Sequence, residues 1–281
     1  MTVRTAGAVE VGAGVVAPPK ARQRGFYQRN VSRLRAIQSI AAVLVLWELA
    51  GRYLITNKLF FVPLSAVAGS FGQLWAKGEL QVHIWTSTQE FVYGFFLSSV
   101  VGVALGLGMA VSRPLRDYLD PWVSLLYSTP LVALAPLFIL WFKLGIESKV
   151  AVIFLLVLFP VLLNTYVGIL GTERHLIETA RSFGAKPVHI FTKVMLPSAL
   201  PVIVTGLRLG LARGLVGVVV AELFGAKAGL GYLILLSAQT FDTAGLFVGV
   251  VILAGSGVLG VELLKAVERR MAPWRQVEVQ D

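Results

Sequence analysis

The side chains in this sequence that could hold a ligand or move a proton are few and scattered. Cysteine is absent, which removes disulfides and thiolate metal sites. His83, His175 and His189 lie far apart and read as polar loop residues, so no metal site is expected. There is no G-x-x-x-x-G-K-S/T phosphate loop and no H-E-x-x-H pair. No serine, histidine and acid can be matched into a nucleophilic site from their spacing. The sequence therefore offers no catalytic residues and is not expected to be an enzyme. What remains is the chemistry of binding and positioning. One stretch carries most of it: Glu178-Thr179-Ala180-Arg181-Ser182-Phe183-Gly184, closed by Leu196-Pro197, in a polar segment (171–200) between two long apolar runs. In an apolar chain such a segment must protrude into water or pack on another protein.

The elements that position these residues follow from composition. Apolar residues make up 56% of the 281 and charged residues 14%. Apolar runs approach twenty residues, the length a helix needs to cross a bilayer. The expected fold class is all-α, a polytopic membrane protein, with spans near 36–55, 86–111, 121–142, 149–170, 201–222 and 244–265. Residues 1–35 read as a disordered basic tail, 36–270 as the transmembrane domain and 271–281 as a second tail. The first apolar run starts only near Ala36 and is long enough to span, so it does not read as a cleaved signal. A net charge of +10 would suggest nucleic acid in a soluble chain. Here its distribution matters more than its sum, and the expected contact is the lipid bilayer, with no nucleic acid. With the amino terminus inside, sixteen Lys and Arg outside the spans fall on the cytoplasmic side. Five, Lys58, Lys77, Lys143, Lys149 and Lys227, fall on the other. Both termini and the 171–200 segment are thereby expected in the cytoplasm.

Within that segment Thr172 is a candidate N-cap, and Leu176, Ile177, Ala180 and Phe183 recur at helical spacing. Gly184 supplies a left-handed exit, Pro187 opens a second helix and Pro197 stops it. Two short helices round a glycine elbow are expected. A plain solvated loop helix with an internal Glu178–Arg181 pair is the alternative.

Glu178, Ala180, Gly184, then nine residues and Val194-Met195-Leu196-Pro197 resemble the EAA motif of ABC importer permeases. That motif runs Glu-Ala-Ala, three residues, Gly, nine residues, Ile-x-Leu-Pro. Thr179 and Val194 depart from it while keeping a small and a branched side chain. Trp47-Glu48, Val62-Pro63, Gly94-Phe95, the run 137–142, Gly206-Leu207-Arg208 and Ala221-Glu222 with Gly229-Leu230-Gly231-Tyr232 look like the nitrate/sulfonate/taurine branch. The resemblance implies a type I importer permease fold and a permease subunit forming a solute pathway across the bacterial inner membrane. It further implies a second permease copy in a homodimer and an extracytoplasmic solute-binding protein. Glu178, Thr179, Ala180, Arg181, Ser182, Gly184, Leu196 and Pro197 would form the coupling loop docked on separate ATP-binding cassette ATPase subunits. ATP would be bound by that partner, and no cofactor by this chain. The solute implied is nitrate, a sulfonate, taurine or a larger molecule such as a pyrimidine vitamin precursor. An ion-coupled secondary transporter is the competing reading; it would show inverted repeats and paired mid-membrane ionisable residues.

Charges inside spans cost on the order of 2.5–3.5 kcal/mol each at a helix centre and need a reason. Glu48 and Arg52 are spaced as a helical ion pair. Arg208 is expected to snorkel to the cytoplasm and Glu90 to reach outer water. Glu222, beside a glycine-rich re-entry, reads equally as a gate element or an interfacial carboxylate. Pro130, Pro136 and Pro160 interrupt the third and fourth spans, with Ser128, Thr129 and Asn164 beside the breaks. Those polar groups suit a water-filled path or simple helix-to-helix hydrogen bonding.

Overall fold

The structure is a computed structural model that describes residues 26–55, 57 and 59–271. Expectations for residues 1–25, Lys58 and 272–281 fall outside those residues. Among the described residues every regular element is helical. The described residues divide into two compact units, one ending at Trp47 and one beginning at Glu48. The first contains most of α1 (Phe26–Leu49), a helix that starts before the expected first apolar run. Its apolar window, together with the π turn Ala50–Leu54, covers Leu34–Leu54.

The second unit holds the rest. Helix α2 (Leu64–Ala76) is a short amphipathic helix, with Val67 buried and Phe71 and Trp75 exposed. Then come α3 (Glu79–Val111), α4 (Arg113–Ser128), a 3-10 turn (Leu131–Leu134), α5 (Ala135–Phe142) and α6 (Ile146–Leu170). Helices α7 (Arg174–Ser182) and α8 (Pro187–Ile190), a π turn (Phe191–Met195), α9 (Leu196–Leu223), α10 (Leu230–Gln239) and α11 (Thr243–Met271) complete it. Among the described residues five helices are long and apolar enough to cross a membrane, or six if one bent pair counts as a span.

The expected third span is broken. Helix α4 and the segment Leu131–Phe142 meet at 88°. Thr129, extended at φ −80°, ψ 140°, precedes Pro130, whose ring disfavours helical geometry in the residue before it. Pro136 does not interrupt a helix. It sits in the first turn of α5, where a missing N–H removes no bond. Of these three prolines, only Pro160 lies inside a long helix.

Helix α6 runs between α3 and α9 and packs closely on both. Small residues make this possible, because between apolar helices in lipid it is contact, not water exclusion, that favours association. On α3, Gly94, Gly102 and Gly106 face Ile153, Val161 and Thr165 of α6. Ser98 Oγ donates to the Phe154 carbonyl at 2.8 Å. On α9, Gly206, Gly210, Gly214 and Gly217 form a second seam against Asn164, Val157 and Ile153. The sequence reading missed this seam in the fifth span. Between α9 and α11, Arg208 and Glu268 form a partly buried ion pair. Arg208 therefore does not reach for water as expected, because α11 brings it an acid.

Candidate functional site

The 171–200 segment folds as the elbow that its residues specify. Helix α7 ends at Ser182, and Gly184 follows at φ +76°, a region that costs a side-chain-bearing residue energy and glycine almost none. The Gly184 N–H donates to the Arg181 carbonyl at 2.9 Å and the Ala185 N–H to the Ala180 carbonyl at 3.1 Å, which closes the helix end. No atom lies within 4 Å of where a Gly184 Cβ would stand. The glycine is required by the backbone rather than by crowding.

The elbow presents an unusual surface. Phe183 is 86% exposed, Val188 is 70% exposed and Leu176 is exposed on α7. Arg174, Arg181, Lys186 and Lys193 are exposed in the same segment. Glu178, Thr179 and Ser182 are exposed as well, and Ala180 is half-buried. Glu178 makes no ion pair with Arg181, so the alternative reading of an internally paired loop helix loses its pair.

Two expectations here are corrected. Thr172 does not cap α7; it is buried, and its hydroxyl donates to the Ile169 carbonyl at 3.0 Å at the end of α6. Pro197 does not stop the second helix. The π turn Phe191–Met195 shifts the ladder so that the Leu196 N–H reaches the Phe191 carbonyl, and Pro197 enters the first turn of α9. Helix runs unbroken from Pro187 to Leu223, 37 residues.

At the far end of that helix lies a polar cluster that the sequence reading did not assemble. The four backbone N–H groups that open α10 have no helical acceptors, as at any helix start. Side chains of α3 and α9 take all four. The Gly229 N–H donates to His83 Nδ1 at 3.0 Å, and the Leu230 N–H to Ser87 Oγ at 2.7 Å. The N–H groups of Gly231 and Tyr232 donate to Glu222 Oε2 at 2.5 and 3.3 Å. Ser87 in turn donates to Glu222 Oε1 at 2.5 Å. Glu222 is fully buried, and a carboxylate at a helix N-terminus is favoured by the helix dipole as well as by these bonds. Glycine is needed at two of these positions. Gly229 has φ +130°, and any Cβ there would overlap the Glu222 carboxyl; one on Gly231 would come 2.9 Å from Val219 Cα.

Glu90 lies one turn along α3 from Ser87, 2% exposed, beside Glu222 and within electrostatic range of Lys149. It does not reach water as expected. Lys149 is buried too and donates to the carbonyls of Leu144 and Gly145 at 3.4 and 3.1 Å. His83 is a helical residue with a backbone donor, not a loop histidine. Among the described residues no group of His, Asp or Glu could hold a metal ion.

A protein-family model described as "Binding-protein-dependent transport system inner membrane component" matches residues 99–273, which hold the elbow, Glu222 and α10 but not His83 or Ser87. The chain belongs to this family. An aliphatic sulfonates transport permease of Bacillus subtilis is 35% identical over 84% of this chain and 85% of its own length. The taurine transport system permease of Escherichia coli is 31% identical over 85% and 89%. The formylaminopyrimidine transport permease of Halalkalibacterium halodurans is 32% identical over 89% and 99%. In fold the permease is similar to a chain of the MetNI methionine ABC transporter in an inward-facing conformation. The TM-score is 0.58 at 20% identity, over 68% of this chain and 95% of that one.

The polar residues of the permease singled out for a pathway share no hydrogen-bond partner. Ser128 Oγ donates to the Ser124 carbonyl at 2.8 Å and Thr129 Oγ1 to the Leu125 carbonyl at 2.9 Å, both within α4. Asn164 Nδ2 donates to the Pro160 carbonyl at 2.8 Å, on the face that meets Gly206. Glu48 pairs with Arg52 as expected and does more. Its Oε2 accepts the Ser65 N–H and its Oε1 the Ser65 hydroxyl, both at 2.9 Å, so it caps α2. Trp47-Glu48 and Ala221-Glu222 thus each supply a carboxylate to the start of a later short helix.

Proposed function

We propose that this permease subunit works as the passive half of an ATP-driven importer, with its elbow docked on an ATP-binding cassette ATPase. The observation that carries the reading is an apolar tip, Phe183 and Val188, exposed on a glycine-turned knob in a polar segment between two long apolar helices. Exposed apolar side chains at a fixed turn call for a groove on another protein. Glu178, Thr179, Arg181 and Ser182 would rim that contact. Leu196 and Pro197 would join it to α9. ATP would bind only to the partner.

The same reading places the elbow and both termini in the cytoplasm, the chain in the inner membrane and a second permease copy beside it. An extracytoplasmic binding protein would hand over the solute. The relatives' names favour a small sulfonate or taurine, with a formylaminopyrimidine as the wider option. The remaining polar groups singled out above, Ser128, Thr129, Asn164 and Glu222, are assigned to the solute path or its gate.

Gly184→Val tests the elbow. A β-branched residue held at positive φ costs about 1–3 kcal/mol, so ATP-dependent uptake should fall on the order of tenfold at unchanged membrane abundance. Full uptake at full abundance would overturn the coupling role. Uptake that persists without any ATPase and follows a proton or sodium gradient would favour a secondary carrier.

A further inference from the structure

The bonds at the start of α10 form more than a cap. A helix start is ordinarily satisfied by its own flanking residues or by water. Here the four donors of Gly229, Leu230, Gly231 and Tyr232 are taken by His83 and Ser87 of α3 and by Glu222 of α9. Ser87 also joins α3 directly to Glu222. The 224–242 segment, between α9 and α11, is therefore pinned to two long helices at a single buried point. Glu222 stands near one end of the unbroken helix Pro187–Leu223. The elbow stands at the other. At 1.5 Å per residue the two are about 50 Å apart along one rod.

We propose that Glu222 is a positioning residue for transport. With Ser87 and His83 it latches α10 to the outer ends of α9 and α3, and so carries movement of the elbow to the outer mouth of the pathway. The argument rests on burial and bond count. A rod transmits displacement only to what is fixed on it, and these bonds fix the start of α10 to both α9 and α3. Glu222 is fully buried and takes three hydrogen bonds. Breaking it leaves buried donors unsatisfied, which is costly enough to free the segment. The transport role rests on the coupling proposed above, whereas the latch itself does not.

The test uses the full complex in lipid, with wild type, Glu222→Gln, Glu222→Asp and Ser87→Ala compared. Glutamine keeps the shape of Glu222, but its amide N–H₂ cannot accept a hydrogen bond as the second carboxyl oxygen does. Amide exchange in peptides covering 226–242 should rise at least tenfold in Glu222→Gln and Ser87→Ala, with peptides of α6 unchanged. Uptake per ATP hydrolysed should fall at least fivefold in Glu222→Gln and recover in part in Glu222→Asp. That ratio is independent of how much protein folds, so a purely structural loss would not move it. Unchanged exchange in 226–242 would overturn the latch. Raised exchange with an unchanged ratio would overturn the positioning role. A Glu222→Gln chain that fails to fold passes the decision to Ser87→Ala, which removes one hydroxyl only. If wild type shows no ATP-dependent uptake, the coupling reading fails, and the exchange result still decides the latch.

Discussion

Gly206 and Gly255 show what a single residue type does at two places in this chain. A Cβ on Gly206 would stand 2.6 Å from Asn164 Cβ and 3.0 Å from the Pro160 carbonyl, whereas one on Gly255 would meet nothing within 4 Å. Gly206→Ala should therefore cost about 1–3 kcal/mol, the usual penalty of overpacking. Gly255→Ala, mid-helix, should be neutral or stabilise by up to about 1 kcal/mol. Thermal unfolding of the two variants in one detergent would separate them; equal midpoints would show that the α6–α9 seam yields easily. At this scale the sequence was partly legible. Gly184 announced itself, since a glycine between two amphipathic patterns has few other uses. Glu222 did not. Its partners His83 and Ser87 lie more than a hundred residues earlier, and spacing along a chain carries no trace of a contact made between helices. The nearest available signal was the glycine pair at 229 and 231, because glycine beside an acid often marks a backbone approaching a carboxylate.

Among elements, α9 is the one the sequence misjudged most. Pro197 reads as a stop under α-helical rules, yet the helix passes through it after a π turn. That turn cannot be read from side-chain types. The opposite error occurred at Pro130, where a span expected to be kinked is folded back at 88°. The ion pair Arg208–Glu268 ties α9 to α11, and it is only partly open to solvent, at 29% and 15%. Reversing one partner, Arg208→Glu, should destabilise the protein by on the order of 3 kcal/mol, because it leaves like charges in a largely dry contact. Arg208→Glu with Glu268→Arg should recover most of that loss. Failure of the double exchange to recover thermal stability would show that the pair matters for its shape and not its charge.

For the molecule, class and family were readable almost entirely from composition and motif, since apolar runs of this length permit little but a helical membrane protein. Orientation in the membrane is a prediction on the same footing, from the bias of sixteen basic residues against five. The absence of cysteine makes it easy to test. A cysteine placed at Ser182 should react with an impermeant maleimide only in inside-out vesicles, and one placed at Lys227 only from outside. The reverse pattern would overturn the orientation and, with it, the docking of the elbow on a cytoplasmic partner.

Phe183 carries a last consequence. A ring left almost wholly wet at the tip of a stiff turn is tolerable only while something covers it. Copies synthesised in excess of their companion should therefore be orphans, clumping through this tip or cleared by housekeeping proteases. The cell's stock of the subunit would then follow the supply of its companion, and Phe183→Ser should lengthen the lifetime of unassembled chains while weakening assembly.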